Sequence, residues 1–193
     1  MNRELIRATR SPLALVAACA IVLGAGLVIA ADGNSRLGAE ASLQTADGKI
    51  VGTVRFLPRG SKVAVSVRVW DISPGFHGFH VHAIGDCHHA MGFVSAGGHF
   101  NKATEYHGGH SGDLPPLLVN RDGTAQAMVV TDRFTLSDLF DVDGSAVILH
   151  ALRDNLGHIP ARYVSTGYDA GGADPMTMAT GDSGSREACG VVR

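Results

Sequence analysis

From Lys62 to Val69 the chain alternates, with Val63, Val65, Val67 and Val69 on one side and Lys62, Ala64, Ser66 and Arg68 on the other. A period of two is that of a strand with one face on a core and the other toward water. Runs containing β-branched residues recur at 41–46, 49–57, 77–83, 124–131 and 145–151, punctuated by Asp47-Gly48, Arg59-Gly60, Asp122-Gly123 and Asp143-Gly144. Such dipeptides supply tight turns, so the pattern predicts antiparallel meanders or Greek keys. Only Thr135 to Phe140 reads as a short helix, opened by Thr135 as a cap with Asp138 three positions on. The predicted fold class is all-β.

Two stretches break the pattern: 84–112, rich in Gly and His, and 153–186, rich in Gly, Asp, Ser and Thr. Loops this long inside a compact domain are usually functional and ordered by something other than their own secondary structure. A third stretch is of another kind. After Arg3, Arg7 and Arg10, the chain runs from Pro12 to Ala31 with no charged side chain. This is the pattern of an export signal, with Val28-Ile29-Ala30 offering cleavage near Ala30 or Ala31; an uncleaved membrane anchor is the alternative, because about 20 apolar residues can span a bilayer. Val16-Ala17-Ala18-Cys19 resembles a lipoprotein box, but the apolar run continues well past it. A chain of 193 residues suits one domain with appendages. The expected organisation is an export signal or anchor at 1–31, a short polar linker at 32–39 and a β domain at 40–193.

Setting residues 1–30 aside removes three arginines and one glutamate, so the formal charge moves from −2 to −4. That balance, with no long basic run, shows no nucleic-acid footprint. Cys87 and Cys189 then remain as one pair in an export pathway that permits oxidation, and a disulfide is the natural inference. It would close a loop of about a hundred residues, worth up to roughly 4–5 kcal/mol in the chain-entropy treatment.

The histidines carry the chemistry. His80 and His82 flank Val81 in a strand run, so both imidazoles point the same way and can hold one ion. His99, His107, His110 and Asp113 lie within fifteen residues, a set that suits tetrahedral Zn²⁺, with Gly97, Gly98, Gly108 and Gly109 letting the backbone turn tightly. His150 ends the apolar run Ala146-Val147-Ile148-Leu149 and needs a partner, for which a metal would serve.

Together, Gly78-Phe79-His80-Val81-His82, Gly85-Asp86-Cys87, Gly97-Gly98-His99-Phe100-Asn101, His110-x-Gly-Asp113, His150-x-x-x-Asp154-Asn155 and Gly184 to Val191 resemble the copper/zinc superoxide dismutases, in family order. The resemblance implies an eight-stranded antiparallel Greek-key sandwich or flattened barrel with two long metal-site loops. It implies a copper ion on His80, His82, His99 and His150, and a zinc ion on His99, His107, His110 and Asp113, with His99 shared. Asp154 would link a copper-bound to a zinc-bound histidine, Arg186 would sit beside copper, and Cys87 and Cys189 would form the family disulfide. The implied activity is dismutation of superoxide, with Arg186 and His99 as catalytic residues and with Arg153 and Lys102 as further candidates for a positive funnel. One departure is that only Gly108 and Gly109 separate His107 from His110, where the family commonly has a longer stretch.

His77 is expected to be a solvated strand residue; His88, His89 and His158, with Met176 and Met178, are read as surface residues without a role. Two rival readings differ from this one in what they require. A copper chaperone could dispense with Arg186, and a zinc hydrolase would need an open zinc position, which four protein ligands close. The expected location is periplasmic, cell-envelope or extracellular, with membrane contact only through the N-terminal segment if uncleaved. A homodimer stays open.

Overall fold

The computed structural model describes residues 38–167 and 172–193; the export segment read at 1–31 and most of the linker at 32–39 lie outside them. Eight strands form one antiparallel sheet: β1 Ala39–Thr45, β2 Ile50–Arg59, β3 Lys62–Val69, β4 Gly75–His82, β5 Asp113–Val119, β6 Ala125–Thr131, β7 Ala146–His150 and β8 Arg186–Val191. Their spatial order is β5-β4-β7-β8-β1-β2-β3-β6. The two outermost strands, β5 and β6, are consecutive and joined by a short turn at 120–124, so the sheet curls into a nearly closed barrel. A short helix, α1, covers Pro175–Thr180, and the helical signal at Thr135 appears as a 3₁₀ turn over Leu136–Phe140, where Asp138 accepts the Thr135 N–H at 2.7 Å.

Alternation decides what lies inside. The four valines of β3 are all buried, joining Leu43, Val54, Phe56, Phe79, Val81, Val147 and Leu149 in the barrel interior. β7 is instead buried at every position, because its outer face is covered as well. There Ala146, Ile148 and Cys189 pack under Phe93 and Ala96 of the 83–98 loop in a second, smaller core. This cover allows polar ligands to sit on the outside of a sheet yet away from water.

β5 has no alternating pattern, because Pro115 and Pro116 interrupt it. Proline cannot donate to a ladder, and an edge strand tolerates it. β8 lay concealed at the end of the 153–186 stretch.

Candidate metal centre

His80 and His82 stand on the outer face of β4, paired across the ladder with Ile148 and Ala146 of β7, and His150 ends β7 on that same face. The loop after β4 returns His99 to them through a bridge with His82. All four rings are buried. Ring centres are 4.0 Å apart for His80 and His99, and 4.9 Å for His80 with His150 and for His82 with His99. One ring nitrogen from each lies within 4.8 Å of the others.

The protons can be placed by elimination. His82 Nδ1 is 2.9 Å from the Gly97 carbonyl, His150 Nδ1 is 3.1 Å from the Gly184 carbonyl, and His80 Nε2 is 2.5 Å from Asp154 Oδ2. Those oxygens only accept, so each of these nitrogens donates and its opposite nitrogen carries a lone pair. The opposite atoms are His80 Nδ1, His82 Nε2 and His150 Nε2, and together with His99 Nε2 they are buried without any hydrogen bond. Four converging, unpartnered lone pairs are costly unless a cation takes them. Burial keeps them ready for one: it lowers His80 to about 4, His150 to about 3 and His82 well below the usual range.

The other face of His99 meets a second set. His99 Nδ1 lies 2.9 Å from Asp113 Oδ1, 3.4 Å from His107 Nδ1 and 3.2 Å from His110 Nδ1. Asp113 Oδ1 is in turn 3.4 and 3.3 Å from those two nitrogens. Tetrahedral Zn²⁺ with bonds of about 2.0–2.1 Å has donor-to-donor edges of about 3.3–3.4 Å, which is the spacing of this set. His80 also approaches His99, His107 and Asp113 within 4.8 Å, but its Nε2 belongs to Asp154 and its Nδ1 faces the first set, whereas His110 Nδ1 lies 3.2 and 3.3 Å from His99 and Asp113 and completes a four-donor arrangement. Both groups of residues therefore fit a metal ion.

Asp154, with its side chain 1 % exposed, ties the two sets together. Its Oδ2 takes His80 Nε2, while its Oδ1 takes His107 Nε2 at 2.7 Å and the Leu156 N–H at 2.5 Å. Burial disfavours charge on His107, but Asp113 and Asp154 outweigh it and raise that ring to about 9 in the metal-free protein. The same contacts hold both carboxyls well below the usual carboxylate range against their own burial. Gly181 lies over the His107 ring, where a Cβ would overlap it. Arg186 opens β8 opposite His150 and gives its guanidinium to the carbonyls of Phe93 and Gly97. Cys87 and Cys189 are joined by a disulfide, with Cα atoms 5.7 Å apart, fastening that loop to β8.

A scan against protein-family descriptions matches the copper/zinc superoxide dismutases (SODC) over residues 50–192. The chain belongs to the copper/zinc superoxide dismutase family. It is 37% identical to the Cu-Zn superoxide dismutase of Mycolicibacterium paratuberculosis over 78% of this chain and 71% of that one. It is 38% identical to that of Mycobacterium tuberculosis over 78% of this chain and 68% of the relative. Among solved structures it resembles a double mutant of a SOD-like protein from Bacillus subtilis (TM-score 0.61, 29% identity, 79% of this chain and 95% of that one). It also resembles the clock protein EA4 (TM-score 0.63, 29% identity, 80% and 92%). Family membership makes the chain an oxidoreductase and implies copper and zinc as its metals.

Several expectations change. His77 is not solvated: it is 1 % exposed, with both ring nitrogens 2.8 Å from carbonyls, those of His150 and Ser73. Two carbonyl acceptors at the two ring nitrogens favour the protonated ring. Glu187, 3.4 Å away, is its counter-charge and raises its pKa against burial. Lys102 is paired with Asp138 at 2.7 Å, and Arg153 is exposed. His88, His89 and His158 are exposed; the first two stack on each other, 5.9 Å apart, outside both donor sets.

Proposed function

We propose that this enzyme converts two superoxide anions and two protons into dioxygen and hydrogen peroxide, with copper held by His80, His82, His99 and His150 and zinc by His99, His107, His110 and Asp113. The observation that carries this reading is His99 itself, which presents Nε2 to one converging donor set and Nδ1 to the other. Copper supplies the one-electron oxidation and reduction that the two half-reactions need, and zinc, which has no accessible redox step, supplies charge and position. In this reading His99 is the bridging ligand. Its Nε2, buried and without a protein partner, would take one of the two consumed protons from solvent and pass it to the peroxide product.

Arg186 receives the substrate. Its fork is fixed by two carbonyls on the strand end beside His150, so its charge is held in place against a net acidic domain that repels the anion at long range. Superoxide dismutase is itself a standard example of such electrostatic steering. Asp154 holds the proton on His80 Nε2 and keeps both rings turned toward their donor sets. The disulfide suits an oxidising compartment, in keeping with export through residues 1–31 and an envelope or extracellular site for the 40–193 domain. A homodimer is the assembly to look for.

The test is pulse radiolysis on protein of measured copper and zinc content. The metallated protein should consume superoxide and be inhibited by cyanide, and Arg186→Ala should slow it about tenfold or more at unchanged copper content. Fully metallated protein that leaves superoxide untouched would overturn the reading.

A further inference from the structure

We propose that Arg133 is a positioning residue for the second donor set, holding closed the short turn that carries His107 and His110; the proposal rests on the reading of that set as a zinc site. The turn is only His107-Gly108-Gly109-His110. It is organised from two sides by opposite charges. On the inside, Asp113 Oδ2 accepts the N–H groups of Gly108 at 2.7 Å and His110 at 3.0 Å, leaving Oδ1 to face the three imidazoles. On the outside, the guanidinium of Arg133 donates from one nitrogen to the carbonyls of His110 at 3.0 Å and Gly108 at 3.2 Å, and from the other to Gly108 again at 3.2 Å.

The same two residues, Gly108 and His110, thus give their N–H to an anion and their C=O to a cation. A planar fork can span two carbonyls in this way and an ammonium cannot hold both with the same geometry. The turn has no slack. Gly108 has φ +89°, and a Cβ there would lie 2.7 Å from the Leu156 carbonyl. The His107 N–H is tied to the Met178 carbonyl and the Gly109 N–H to that of Tyr106, while Arg133, reaching in from just beyond the end of β6 and giving its own N–H to Thr131 Oγ1, supplies the outer anchor of Gly108 and His110.

Arg133 is exposed, so Arg133→Met should fold. Zinc affinity of the metal-free domain, read by competition with a chromophoric chelator, should fall about tenfold to a hundredfold, as for other residues that orient metal ligands. Copper affinity should stay the same. Arg133→Lys should recover part of the loss, and Co²⁺ placed in the site should show weakened tetrahedral d–d bands in Arg133→Met. Equal zinc affinity in Arg133→Met and the unaltered protein overturns the proposal, even if the melting temperature drops, since that is what a mere strand-end contact would give. Absence of zinc uptake by the unaltered protein overturns the zinc reading itself, and the proposal with it.

Discussion

Two donors of the first set stand on β4 and a third ends β7, so adjacent strands fix them before any ion arrives. In the second set only Asp113 belongs to a strand, at the very start of β5, and His107 and His110 come from a turn. The two sets are also ordered by different forces. The outward nitrogens of His82 and His150 rest on main-chain carbonyls, and burial keeps those rings neutral. The second set is assembled by charge: Asp113 and Asp154 on His107, and Arg133 on the turn. A sheet can store ligand geometry in its hydrogen-bond ladder, whereas a loop must borrow it from ion pairs, which respond to pH and substitution.

Reducing the Cys87–Cys189 bond should separate the two sets most strongly. The loop it pins delivers the Gly97 carbonyl to both His82 and Arg186, so release acts on the first set and its arginine. Loss of a native disulfide typically costs about 2–5 kcal/mol, and denaturant titration with and without reductant should show a loss of that size. Copper affinity should fall while zinc affinity moves less; equal losses would erase the distinction.

Asp154→Asn should give the next largest effect and bears on both sets. An amide can accept from one ring but presents N–H₂ to the other, so either His80 or His107 loses its acceptor. Measured near pH 9, where proton competition at His107 is small, affinity should drop about tenfold to a hundredfold, more for zinc, because the second set also loses a negative charge beside its cation. Competition titrations with each metal would show it, and a larger loss at the copper set would reverse the assignment of which set depends on charge.

How much of this was legible beforehand follows from the same physics. The valines of β3 declared their face because that strand has water on one side. β5 stayed hidden because Pro115 and Pro116 remove the alternation, and only its edge position makes them acceptable. His77 shares its parity with Phe79 and Val81, both in the core, so alternation alone pointed inward. Its counter-charge Glu187 is on β8, and nothing local links the two. The ligand types and their order were readable, and Asp154 came from family likeness alone. Arg133 had no signal at all, since its role exists only once the end of β6 meets the turn at Gly108.

The most direct test of charge against burial is the pH dependence of metal uptake. In the metal-free protein His107 is raised to about 9 by Asp113 and Asp154, which overcome its burial, so it is protonated at neutral pH and zinc must displace that proton. Zinc affinity should therefore rise about tenfold per pH unit between roughly 6.5 and 9 and then level off. His80 at about 4, His150 at about 3 and His82 well below the usual range are already neutral throughout that window, so these three rings add no proton competition and copper affinity should rise less steeply than zinc affinity. Stability of the metal-free domain carries matching signs. The raised His107 stabilises it fully below about 6.5 and progressively less up to about 9, while the depressed His80 takes stability away as pH falls from about 6.5 to about 4. Metal competition and denaturant titrations across pH 5 to 9 would measure both, and parallel slopes for the two metals would mean that burial and charge do not divide the site as the geometry implies.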